Sequence, residues 1–164
     1  MLKMLYPLLK SLHSGLESVN REIWYKNLCA ESQINWREKE FNEFFNDKEE
    51  VIPKEINYGD RIYEVLNYDE FIKWLKDDDT SDLVYVKTRR ECNAFADVLK
   101  GRVREIGNFA VGTAWGYVSW LDGYHAFNVF YAKENGIMKW YALEPQTDKI
   151  YSIFEVKSIR FLTF

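Results

Sequence analysis

A chain of 164 residues with 47% apolar and 17% aromatic content is long enough for one packed domain and too apolar to stay disordered. A net charge of −4 gives no electrostatic footing for nucleic acid or an anionic membrane surface. No apolar run approaches the ~18–20 residues of a membrane span; the histidines are His13 and His125, and the two cysteines, Cys29 and Cys92, give no disulfide framework and no tetrahedral zinc set, so reduced thiols are expected.

The opening stretch MLKMLYPLLKSLHSGL has no continuous apolar core and no small-residue cleavage site. No secretory leader is therefore expected, and the expected location is cytoplasmic, with the virion as alternative. Residues 7 to about 28 read as a helix: Pro7 suits a first turn, and Leu8, Leu9, Leu12, Leu16, Val19, Ile23 and Trp24 keep a helical stripe. A stripe of this kind is expected to pack on its own domain, with contact to a partner as the alternative. From Ser32 to Glu50, Trp36, Phe41, Phe44 and Phe45 are interleaved with polar residues, which suggests a second helix ending near Asn46. Pro53 breaks the pattern before it. Arg61 to Val65 alternates as a short strand, and Tyr68 to Lys76 reads as a helix capped by Asn67 and ended by Asp77-Asp78-Asp79, a solvated run. Leu83 to Val86 is expected to be extended.

The next stretch, TRRECNAFADVL, places Thr88 and Glu91 at capping-box spacing, with Phe95, Val98, Leu99 and Val103 as the apolar stripe of a buried helix. Cys92 then falls near the helix start, where the dipole and the neighbouring Arg89 and Arg90 favour a thiolate. After Gly101 strands take over. Phe109 to Val118 contains Gly112 and Gly116, suited to close backbone approach, and Asn135-Gly136 between Tyr124–Lys133 and Ile137–Leu143 is a strong hairpin signal. Lys149 to Val156 and Ile159 to Phe164 are further strands. Helices followed by an antiparallel meander indicate an α+β domain.

If Asn135 and Gly136 are the two loop residues, paired positions sum to 271. His125, Phe127, Glu144 and Gln146 then share one face, with His125 and Glu144 diagonal neighbours. A thiol, an imidazole that moves its proton and a carboxylate that orients the imidazole form a nucleophilic triad. Cys92, His125 and Glu144 supply those three types. An unrelated core cysteine beside a structural His–Glu pair is the competing reading.

These residues, with DRIYEV, ECNAFADVL, AWGYV, YHAFNVF and YALEPQTDKIYS, make residues 60–152 resemble the papain-like domains at the C-terminus of a fungal agglutinin and in phage and prokaryotic proteins, often labelled lectin-like or transglutaminase-like. The resemblance implies a papain-like α+β core over residues 56–164, a helical segment over 1–55, and a catalytic Cys92–His125–Glu144 set. Such domains usually carry two Asp after the Cys, where this chain has Asn93 and Ala94. No cofactor is required, and calcium is doubtful at that point, with Asp97, Asp122 or the Asp77 run as substitutes. No oxyanion Gln precedes Cys92, so its backbone N–H, with Gln146 and Asn128 as supports, is the expected oxyanion site. Trp115, Tyr117, Trp120 and Tyr124 are the candidate walls of a substrate cleft.

The sequence thus points first to a cysteine hydrolase or acyl transferase acting on amide or peptide bonds. Its alternative is a non-catalytic phage-type structural or carbohydrate-binding module that keeps the fold. Expected partners are a peptide, protein or glycan, and neither nucleic acid nor membrane.

Overall fold

A computed structural model describes residues 2–35 and 55–164, with the side chains of 10–34 and 55–164. Helix α1 (Leu2–Leu28) runs directly into strand β1 (Cys29–Asn35). The segment from Ser32, expected to be helical, is therefore strand as far as Asn35, and its remainder lies outside the described residues. Strands β2 (Glu55–Asn57) and β3 (Ile62–Asn67) lead into α2 (Tyr68–Asp77). Asn67 caps α2, its Oδ1 accepting from Glu70 N–H at 3.2 Å, and Asp69 and Glu70 complement the dipole in the first turn.

Helix α3 spans Cys92–Ile106. Only half of the expected capping box forms: the Glu91 carboxylate accepts from Thr88 N–H at 3.0 Å, but Thr88 sits at φ 67° and Glu91 itself is the N-cap. Cys92 is thereby the first helical residue. The helix continues past Gly101 because its next turn is anchored: Val103 is fully buried and Arg102 pairs with Asp78 and Asp79. Those two aspartates are hence tied down, unlike the solvated run expected of them.

The rest is strand: β4 (Val111–Val118), β5 (Gly123–Glu134), β6 (Ile137–Glu144), β7 (Lys149–Ser152), a 3₁₀ turn (Ile153–Glu155) and β8 (Val156–Thr163). The sheet order is β1-β3-β5-β4-β8-β2, with β6 on the other edge of β5 and β7 on β6. The architecture is mixed α+β. It is not a simple meander, because β3–β5 and β2–β8 pair in parallel. Asn135 and Gly136 take φ 51° and 81°, the two positive values that a type I′ turn requires. That turn sets the register, from Glu134↔Ile137 to Asn128↔Leu143.

Alternation along β5 feeds two cores. Phe127 and Val129 join Ala114, Val118, Trp140 and Ile159 on one face. Phe130 and Ala132 join Phe71, Leu99 and Val103 on the face covered by α2 and α3. Asn128 ties α3 to that second face, its Nδ2 donating to Ala96 O at 2.8 Å and Gly112 O at 3.3 Å, while Thr113 Oγ1 donates to Asp97 at 2.9 Å. Among the side chains described for α1, the buried ones lie at its end. Leu28 is buried, Trp24 and Tyr25 are half-buried, and the Tyr25 hydroxyl donates to Glu64. Leu12, Leu16, Val19 and Ile23 stay 52–64% exposed.

Candidate functional site

β5 presents His125 directly opposite Gly116 of β4. Any side chain at 116 is excluded, since a Cβ there would lie 2.0 Å from the Ser158 carbonyl oxygen of β8. Pro145 ends β6 at Glu144, one residue past its last pairing with β5 at Leu143 and at its last pairing with β7. From there the Glu144 carboxylate meets the imidazole, with Oε2 2.6 Å from His125 Nε2, and both side chains are about nine-tenths buried. Buried charge is costly unless it is satisfied. Here Glu144 Oε2 also accepts from Trp120 Nε1 at 3.4 Å, and Oε1 accepts from the Gln146 backbone N–H at 3.2 Å. The His125 Nε2 itself has no aligned hydrogen bond despite the short contact.

The Trp120 indole lies flat on the Tyr151 ring, 4.2 Å between centroids at 6°, and meets Phe127 edge-on. Burial, then the Glu144 charge, pushes the Tyr151 hydroxyl pKa upward, so it stays protonated and able to donate. Trp120, Glu144, Gln146, Lys149 and Tyr151 line an open pocket of about 370 Å³. A larger cavity of about 500 Å³ lies elsewhere, between Trp24, Trp74 and Arg102 beside Asp77–Asp79. Arg102 pairs there with Asp78 and Asp79.

The sequence-derived candidates separate into three places. His125, Glu144, Trp120 and Gln146 converge. Trp115, Tyr117 and Tyr124 occupy the opposite face of β4–β5, since Trp115 pairs with Ala126 and Tyr117 with Tyr124 while His125 pairs with Gly116. There Tyr124 carries Arg160 over its ring at 4.1 Å. Asn128 is fully buried and holds α3. Cys92 is half-buried at the start of α3, and among the described residues it makes no hydrogen bond to His125. Tyr151 is a member of the site that sequence reasoning missed. It enters through the β6–β7 turn, where Asp148 takes φ 54° and Glu144 pairs with Lys149. The PQTD run in the sequence signals that turn, and extending the register across it reaches Tyr151.

Two solved structures share this architecture. One is the PSL1a–E64 complex, with a TM-score of 0.62 and 20% identity over 80% of this chain and 50% of that one. The other is the Polyporus squamosus lectin bound to the human-type influenza-binding epitope Neu5Acα2-6Galβ1-4GlcNAc, with a TM-score of 0.53 and 21% identity over 66% of this chain and 42% of that one. The chain shares the fold of a part of each of these two structures. It spans about half the length of the structures it matches. No protein-family model and no curated protein sequence matches it.

This corrects the leading expectation from the sequence. The cysteine hydrolase or acyl transferase, and with it the peptidase and thiol-protease reading, is overturned by the lectin likeness, which favours the carbohydrate-binding alternative. No helix among the described residues is long and apolar enough to cross a membrane.

Proposed function

We propose that the protein is a glycan-binding module whose pocket is the Trp120–Tyr151–Glu144–Gln146 rim. The observation that carries this reading is the stacked indole–phenol pair joined, through the Trp120 N–H, to a buried and fully engaged carboxylate. A pyranose ring has one face of C–H groups and a belt of hydroxyls. Aromatic rings present a negative π-face to the first, and carboxylate, amide and phenol groups give acceptors and donors to the second. His125 and the Gln146 N–H hold Glu144 in place before a ligand arrives, which lowers the ordering cost of binding. The carboxylate favours hydroxyl donors and disfavours an anionic group set directly on it, so neutral sugar rings fit this pocket best. The shared fold with a lectin seen bound to a sialylated trisaccharide supports the class of ligand.

The test is a glycan array carrying galactose- and N-acetylglucosamine-terminated oligosaccharides together with Neu5Acα2-6Galβ1-4GlcNAc, followed by calorimetry on the hits. Glu144→Gln and Trp120→Ala are each expected to weaken binding at least about tenfold, or ~1.4 kcal/mol, with circular dichroism confirming the fold. Absence of carbohydrate binding, or binding indifferent to both substitutions, would overturn the proposal.

A further inference from the structure

Asp148 ties the wall of the Trp120 pocket to a distant part of the domain. It sits in the β6–β7 turn between Thr147 and Lys149, both of which line that pocket with Glu144 and Gln146. Its own carboxylate bonds elsewhere: Oδ2 accepts from the Ser81 hydroxyl at 2.6 Å, across 67 residues of sequence. Ser81 belongs to an anchored turn. After α2, Asp78 N–H donates to Trp74 O at 3.0 Å, Thr80 N–H to the Asp78 carboxylate at 3.0 Å, and Leu83 N–H to Thr80 O at 3.2 Å. Thr80 is fully buried, and Arg102 of α3 holds Asp78 at 2.8 Å. The β6–β7 turn is knit locally, with Thr147 N–H donating to Glu144 O at 3.2 Å and Gln146 N–H to the Glu144 carboxylate at 3.2 Å. Within it Asp148 takes φ 54°, a left-handed conformation that side chains other than Asn and Asp tolerate poorly. Of the two turns, this one is the part with freedom to shift.

A charged carboxylate is badly served in this position. Its Oδ1 is buried and accepts no hydrogen bond among the described residues. The groups facing it from the anchored turn are the carboxylates of Asp78 and Asp82, so its charge meets like charge. Arg102 brings no relief, since it pairs with Asp78 and Asp79, and on the same turn as Asp148 the Lys149 side chain is exposed. Protonation removes the repulsion and keeps the tie, because a carboxyl O–H can donate to Ser81 Oγ. Burial first, then Asp78 and Asp82, accordingly hold the carboxyl above the usual carboxylate range, with Ser81 opposing. We infer that the Ser81–Asp148 contact is a proton-dependent latch, closed when Asp148 is neutral and loosened when it ionises, that positions the Gln146–Lys149 wall of the pocket for its ligand. The inference rests on the glycan-binding reading and adds to it that acid strengthens binding. The closed fraction falls as pH rises from the free-carboxyl value near 3.8 through the higher value of the closed turn. Each unit between those two values is worth about tenfold in the closed-to-open ratio.

The test is a pH series on the full chain, following the Gln146 and Thr147 backbone amides by NMR and the affinity for Galβ1-4GlcNAc and Neu5Acα2-6Galβ1-4GlcNAc by calorimetry. The expected result is one titration shared by amides and affinity, with binding at least about threefold weaker on its alkaline side. Ser81→Ala removes the hydroxyl that favours the ionised form, so the midpoint should move to higher pH. Asp82→Asn removes a like charge, so it should move to lower pH. Asp148→Asn, which suits φ 54° and keeps a donor for Ser81 Oγ, should abolish the shared step. The His125–Glu144 pair is unaltered in all three variants, so any step it adds persists in Asp148→Asn and is subtracted. A purely structural tie would lower stability in Ser81→Ala without moving a midpoint. A step that survives Asp148→Asn intact, or midpoints that do not separate in opposite directions, would overturn the latch. Amides that follow Asp148 in a protein with no affinity for either probe at any pH would overturn the glycan reading while upholding the latch.

Discussion

Helices α1 and α3 carry the same kind of apolar stripe and use it in opposite ways. On α3, Phe95, Ala96, Leu99 and Val103 are all sealed against the sheet. On α1, four residues at equally regular spacing remain more than half exposed, and the buried side chains described for it lie in its last turns. Periodicity therefore establishes that a face exists. What it faces is decided by the rest of the chain: α3 has Asn128, Thr113 and one sheet core to receive it, while the buried side chains described for α1 lie at its end.

The strongest way to break this contrast is to empty the α3 interface. Leu99→Ala leaves a cavity in a fully buried cluster and should cost ~2–5 kcal/mol, lowering the melting midpoint by roughly 4–20 °C in calorimetry. Asn128→Ala removes the donor that joins α3 to the sheet and leaves the Ala96 carbonyl without it. A loss of about 1–3 kcal/mol in urea unfolding is expected. By contrast, Leu16→Ala should shift stability by less than ~0.5 kcal/mol. A loss of several kcal/mol there would mean that α1 packs on its own domain after all.

The smallest effect concerns titration, which belongs to the body and not to α1. Burial raises the Asp148 carboxyl above its usual range, although the Ser81 hydroxyl, donating at 2.6 Å, opposes the shift. A raised folded-state value means the folded chain binds the proton more tightly than the unfolded one. Stability therefore falls as pH rises from the unfolded value near 3.8 through the folded one, and is regained on acidification. Asp148→Asn should flatten that slope above the unfolded value in urea titrations. An unchanged slope would assign it to other groups.

Local rules made much of this legible. Asn135-Gly136 dictated its turn and hence the register, and Asn67 capped its helix as its side chain requires. The spacing of His125 and Glu144 across the hairpin preceded the contact seen between them. Non-local pairings were not readable. Nothing near Glu55–Asn57 announces a parallel partner in β8, and the aromatic run from Trp115 to Tyr124 reads as one wall although strand alternation sends Trp115, Tyr117 and Tyr124 away from His125. The Thr88–Glu91 spacing suggested a helix start that Thr88 cannot provide at φ 67°. The sulfhydryl at the head of α3 drew the chemistry toward catalysis, because a helix start favours a thiolate.

The parallel pairing of β2 with β8 also sets an order of events as the chain folds. The β5–β6 hairpin closes through two residues and belongs to the microsecond scale of local turns. The β2 edge must wait for a strand from the far end of the chain, and loop closure of that span precedes any bonding gained. The barrier to folding therefore lies in assembling this outer edge, so substitutions at Ile56 or Leu162 should slow refolding more than equally destabilising ones at the hairpin tip.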